Sequence, residues 1–396
     1  MIMCKTIKTS SLCLALLFMF GCSKDNSNIQ DEIENQPSSD FTVTIEVNKN
    51  TAQLNWTASE DPEGDDVTYD VFIDNVLVNS QTTTSYNVLD LLYDEEYQGS
   101  IIANDRSGNE IEVPFTFTTD YLKLSVFEYD NGDNNYFVYE HNEENVLTNL
   151  IQNFDNTHTP IQYNSDGNVA AIGNNTYAYN FHGLLTSIDN GLGTGSLNFL
   201  YDDLDRIREV NITRIGATDN YVSNSKMSYI YNDLGNLIML DIERSFTADY
   251  ISGTQKRYLQ WELFYDDENE NVTEYTLSES QDGITYTERF REIMVYDNKK
   301  NPWFTMLSNQ LKLNSKILFN APVEFYVYPG ANYFFEGYRL TLFGSRHNIL
   351  NHKIFLDNEL LAEYSFTYTY NASGYPISAK HTSSSSDKFP KWTYLE

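Results

Sequence analysis

The sequence predicts an all-β protein: an N-terminal β-sandwich followed by a larger body of antiparallel β-hairpins. Three observations predict it. Between residues 40 and 119 apolar and polar residues alternate with a period of two, as in Phe41-Thr42-Val43-Thr44-Ile45 and Tyr69-Asp70-Val71-Phe72-Ile73, and Asn, Asp or Gly turns recur about every ten residues. Between residues 129 and 370 one phrase occurs eight times: an apolar residue, any residue, Tyr, then Asp or Asn. Finally, 30 Tyr and 23 Phe beside only 21% charged residues suit strands packed on an aromatic core better than disorder.

The chain opens with Lys5 and Lys8, an apolar run from Leu12 to Phe20, then Gly21-Cys22. That run is too short to span a bilayer and sits where a secretory leader belongs, so residues 1–21 are expected to be a signal peptide. Met19-Phe20-Gly21-Cys22 resembles a bacterial lipobox, which implies lipidation of Cys22 and an anchor in the outer membrane. Ser23-Lys24-Asp25-Asn26 resembles the tag by which some Gram-negative groups send lipoproteins to the cell surface. Residues 22–39, rich in Ser, Asn, Asp and Glu without apolar periodicity, are expected to be a disordered tether. Cys4, Cys13 and Cys22 are the only cysteines, so disulfides, Cys-ligated zinc and thiol nucleophiles are excluded from the body that follows.

Residues 40–119 form the predicted sandwich. Trp56 stands on the second strand as a core residue, and Asp61-Pro62-Glu63-Gly64-Asp65 turns the chain before Val67-Thr68-Tyr69. Leu91 lies six residues before Tyr97, after which Gly99, Ile101 and Ala103 alternate. This arrangement is similar to the fibronectin type III domain, and the resemblance implies a tyrosine-corner hydrogen bond from Tyr97 that pins a Greek-key crossover. The acidic run Asp61, Glu63, Asp65 and Asp66 reads first as turn chemistry and second as a Ca²⁺ loop.

Residues 120–396 hold the repeats. The anchors are Tyr129, Tyr163, Tyr179, Tyr201, Tyr231, Tyr265, Tyr296 and Tyr370, each with an apolar residue two places earlier on the same strand face. The following Asp or Asn starts a turn, and the fourth residue after the Tyr is Gly, Asn or Asp in all but one copy. That position suits a left-handed turn closure; Lys300 alone breaks the set. Tyr231-Asn232-Asp233-Leu234-Gly235-Asn236-Leu237 and Tyr163-Asn164-Ser165-Asp166-Gly167-Asn168-Val169 resemble the YD repeats of RHS proteins. The resemblance implies hairpins following one another along a spiralling sheet, and eight units are expected to be too few for the closed shell of the large family members. Between Asn301 and Glu363 the phrase is missing; a short helix at 307–313 and strands near Phe325–Tyr328 and Tyr338–Leu342 are expected, with Trp392-Thr393-Tyr394 as a closing strand.

The chemistry-bearing residues form no recognisable catalytic set. His141, His158, His182, His347, His352 and His381 match no metalloprotease helix, and His347 and His352 are expected on opposite strand faces. There is no Gly-x-Ser-x-Gly elbow and no phosphate-binding loop; Gly191-Leu192-Gly193-Thr194-Gly195 reads as a hairpin loop. No cofactor or metal is implied. A net charge of −32 disfavours nucleic acid as a partner. Trp261 continues a buried strand face, whereas Trp303, at a loop start after Pro302, is the candidate for stacking on a ligand. The sequence therefore points to a lipid-anchored, non-catalytic binding or adhesion protein of the outer membrane, with a glycan or another surface protein as its partner. The alternatives are a carbohydrate-active enzyme with its carboxylate pair hidden among 57 acids, and a structural outer-membrane scaffold.

Overall fold

The computed structural model describes residues 35–130, 136–153, 155–191, 195–216, 220–268, 271–310, 345–383 and 387–395. The expected leader, Cys22, the tether up to residue 34 and the strands expected near 325–342 lie outside the described residues.

The N-terminal part is a two-sheet sandwich. One sheet pairs β1 (Val43–Asn48), β2 (Thr51–Trp56) and β5 (Ser85–Val88). The other orders β4 (Val76–Gln81), β3 (Thr68–Ile73), β6 (Glu96–Asn104) and β7 (Glu110–Thr118). Alternation puts Leu54, Trp56, Tyr69, Val71 and Ile101 into one core. The predicted tyrosine corner is present: the Tyr97 hydroxyl accepts from the Leu92 N–H at 2.8 Å, and its ring stacks on Phe117. Asp61 serves its turn, its Oδ1 accepting from the Glu63 and Asp65 N–H groups at 2.9 Å. Among the described residues no three His, Cys, Asp or Glu side chains gather as a metal site.

The remaining strands, from Lys123–Glu128 to Lys391–Leu395, pair antiparallel in chain order, and the last pairs with the first through Trp392 opposite Phe127. The hairpins expected along a spiralling sheet therefore form a closed barrel. Hairpins that twist in one sense and pair side by side remove their own edges by closing, which no local phrase announces. Inward residues such as Leu150, Ile172, Leu197, Val210, Leu240 and Met294 form one hydrophobic cluster. Several outward positions carry charge, with Lys226 on Glu209 at 2.8 Å and Lys256 on Glu243 at 2.6 Å. A lipid-spanning barrel has the reverse polarity, because an outward charge at the bilayer midplane costs about 2–4 kcal/mol.

The phrase supplies one rim of this barrel. In the Tyr231 unit the Asn232 Oδ1 accepts from the Leu234 and Asn236 N–H groups, and Gly235 closes the turn at φ 82°. The units at Asn164, Asn180 and Asp202 repeat the same two bonds. The anchor tyrosines point inward, and their hydroxyls reach the neighbouring hairpin. Tyr163 donates to the Leu147 carbonyl, Tyr201 to Leu185, Tyr231 to Ile207, Tyr265 to Leu237 and Tyr296 to Val272, and Tyr394, which lies outside the phrase, donates likewise to Pro376, all at 2.7–2.9 Å. Each acceptor is the first strand residue after a rim turn. One member of the set differs from the sequence reading. Tyr129 ends a strand that runs to the opposite rim, and its place is taken by His141, whose Asn142 makes the same turn bonds to Glu144 and Val146.

Lys300 has a structural reason for breaking the pattern. The Asp297 Oδ1 accepts from the Lys299 N–H and then from the Asn348 N–H at 3.0 Å, so the turn is completed only after an insertion between the two. The insertion starts with α1 (Pro302–Thr305), N-capped by Asn301, and continues as a π-turn over Met306–Gln310. The helix expected at 307–313 thus starts earlier, and residues 311–313 lie outside the described residues.

Candidate functional site

The sandwich and the barrel rim meet through the segment between β5 and β6. The Lys300 ammonium donates to the Tyr93 and Asp94 carbonyls at 2.7 Å and pairs with the Glu95 carboxylate at 2.8 Å. The Ser373 hydroxyl accepts from the Tyr93 N–H at 3.0 Å, and the fully buried Tyr375 donates to Asp94 Oδ2 at 3.2 Å. Burial in this joint raises the Asp94 carboxyl above its ordinary range. The outer face of the four-stranded sheet is presented on a base fixed by these contacts.

That outer face carries a trough of about 570 Å³. Phe72 on β3 and Pro114 on β7 form apolar walls, Ser100 lies between them on β6, and Asp74, Asn75, Gln98, Glu112 and Thr116 supply polar groups around it. Asp74 and Asn75 both have positive φ, 49° and 63°, forming the tight turn from β3 to β4 at one end. Gly99 is required below: a Cβ there would lie 2.5 Å from the Phe115 ring and from the Phe72 carbonyl. The trough thus combines two flat apolar faces with amide, hydroxyl and carboxylate groups, the set that engages the C–H face and the hydroxyls of a sugar.

The structure does not bring the sequence-predicted site residues together. Trp303 is 7% exposed and sits inside the barrel, edge-on to Phe127 at 5.0 Å and to Tyr139 at 5.9 Å. Its position after Pro302 starts the insertion inward rather than outward, so it fills the core and offers no surface face for stacking. Trp261 packs on Tyr275 as expected of an inner face. His352 is fully buried against Glu292 at 2.5 Å, while His347 meets the Asn271 amide at 2.9 Å. His381 stacks on Phe366 at 4.5 Å, and burial pushes its imidazole down to about 4. These groups stand inside the barrel wall, away from the trough. The trough residues escaped the sequence reading, although Phe72 carried a signal: it is apolar at a position where alternation calls for an outward polar residue.

Comparison with known proteins gives a result for each part. Residues 35–118 match the model of the fibronectin type III domain, starting five residues before the boundary read from the alternation. No curated protein matches the chain. Among solved structures, a porin-like protein from Bacteroides uniformis aligns with 69% of this chain and 98% of its own, at 14% identity and a TM-score of 0.33, too slight a likeness to carry an argument. Residues 35–118 are a fibronectin type III domain.

Proposed function

We propose that this chain is a non-catalytic binding protein of the cell envelope, anchored in the outer membrane through a lipid on Cys22 and exposed at the cell surface. Its fibronectin type III domain takes a glycan in the trough between Phe72 and Pro114. The observation that supports this reading is the trough itself, with apolar walls and a polar surround on a domain fixed to its base by Lys300. The charged outer wall of the barrel suits a body held outside the bilayer by such an anchor. The barrel is read as a degenerate YD-repeat-like body that has closed on itself. A structural scaffold is the second reading, favoured by the same joint.

The test is a glycan-array and thermal-shift screen of the purified chain beside its Phe72→Ala variant. A ligand at a hundred times its Kd adds about 2.7 kcal/mol to stability, which a melt resolves. One sugar class that shifts the parent and not the variant supports the reading. A flat screen removes the glycan and leaves the scaffold.

A further inference from the structure

The outside of the barrel breaks its own alternation in four successive hairpins. The residue before each anchor tyrosine points outward because the tyrosine points inward. In the units of Tyr201, Tyr231, Tyr265 and Tyr296 that residue is Leu200, Ile230, Phe264 and Val295, exposed by 40, 40, 50 and 52%. In the units of Tyr163 and Tyr370 it is the polar Gln162 and Thr369. Leu204 and Leu234, 71 and 73% exposed at two of the tips, extend the same strip towards the rim.

We propose that this collar is a docking surface for a basic amphipathic α-helix of a partner protein. Spacing selects the helix. Neighbouring hairpins repeat every two strands, about 9–10 Å, and strand pairing sets each member two residues further towards the rim than the one before, so successive members stand about 12 Å apart and the four cover roughly 35 Å. A helix returns near one face every seven or eight residues, about 10.5–12 Å, and about twenty-four residues span 35 Å. A strand returns to one face every two residues, about 6.8 Å, and falls out of step. Charge selects the basic partner. Asp203 and Asp233 are exposed at the tips, and Glu262 and Glu274 flank Phe264 on the wall, Glu274 directly opposite it. These carboxylates on a chain of net charge −32 attract Lys and Arg and repel an anionic lipid surface. The strip is also continuous with a surface already used for docking, because Val295 belongs to the hairpin whose Lys300 holds the sandwich.

The test uses a labelled 25-residue peptide with Leu at positions 2, 9, 17 and 24, flanked by Lys, titrated into the purified chain by fluorescence anisotropy. The expected result is saturable binding that weakens at least tenfold in the Ile230→Ser/Phe264→Ser double variant. Leu77→Ser, at a 51% exposed apolar site on the sandwich, leaves it unchanged. No binding to the parent, equal binding to parent and double variant, or equal binding of a Glu-flanked peptide overturns the proposal. Flotation with phosphatidylcholine vesicles that depends on the same residues and is not displaced by the peptide also overturns it, in favour of lipid. If the double variant melts early, Ile230→Ser and Val295→Ser taken singly carry the comparison.

Discussion

The hydroxyl of Tyr231 donates a 2.7 Å hydrogen bond to the backbone carbonyl of Ile207, on the hairpin before its own. The tyrosine that begins one turn therefore fixes the exit of the neighbouring turn, and the contact recurs along the rim with different residues between the partners. This long-range bond explains why the phrase tolerates variable spacing: only the anchor and the first strand residue after a turn must meet. Burial raises the Tyr231 hydroxyl to about 12, so it remains a donor at neutral pH.

Replacing Tyr231 by Phe keeps the ring in the cluster and leaves the Ile207 carbonyl without its donor. The expected loss is about 1–2 kcal/mol, the range for one hydrogen bond whose acceptor is partly buried. A denaturant titration read against Asp233→Asn, an exposed change on the same tip, checks it. Equal midpoints for the two variants would show that the hydroxyl is not part of the interlock.

Lys300→Met removes three contacts to the β5–β6 segment while keeping the apolar stem. Hydrogen bonds involving a charged group contribute about 1.5–3 kcal/mol, so the joint should open well below global unfolding. Amide exchange at Tyr93, whose N–H is held by Ser373, should accelerate, while amides of Val71 and Ile101 in the sandwich core keep their protection. Unchanged exchange at Tyr93 would mean that Ser373 and Tyr375 hold the domain without the lysine.

Trp303→Ala should behave as a core truncation. Emptying a buried tryptophan site costs about 3–5 kcal/mol, and the cavity here opens beside Phe127 and Tyr139. Thermal unfolding checks this, and Trp303→Phe should recover part of the loss. A variant that melts like the parent would return Trp303 to the surface.

Stability should fall as pH drops from neutrality. His381, lowered to about 4 by burial, stays neutral in the fold while the unfolded chain protonates near pH 6.5. Between about pH 6.5 and 4 the unfolded state binds the extra proton, so stability decreases as pH falls through that window. Asp94, raised by burial, acts in the opposite sense, and comparing variants separates the two. His381→Phe, which keeps the stack on Phe366, should flatten the decline in denaturation midpoint between pH 7 and 5. Parallel pH profiles would assign the decline to other groups.

The chain from residue 40 onward should stay in solution without detergent, because its outward strand positions carry ion pairs such as Lys226 with Glu209. Ultracentrifugation after detergent removal is the measurement. Quantitative sedimentation into a pellet that detergent redissolves would point to a lipid-facing wall.

By itself the sequence determined the local structure. Period-two alternation, Asx turns and left-handed Gly or Asp at the turn closure are set by interactions within about five residues, so the strands and the hairpins were legible. The resemblance to the fibronectin type III domain, carried by Trp56, Leu91 and Tyr97, implied the Tyr97 corner in addition. Only the tertiary structure decided that the hairpins close into a barrel, since closure depends on twist accumulated over the whole sheet and on Trp392 meeting Phe127. It also decided that His141 replaces Tyr129 on the rim and that the Lys300 turn is completed by Asn348, because strand direction and a distant N–H leave no mark on the local phrase. The trough and the collar were half visible, as apolar residues at outward positions. Which of those positions lie side by side is a matter of strand pairing, and pairing joins residues far apart in the chain.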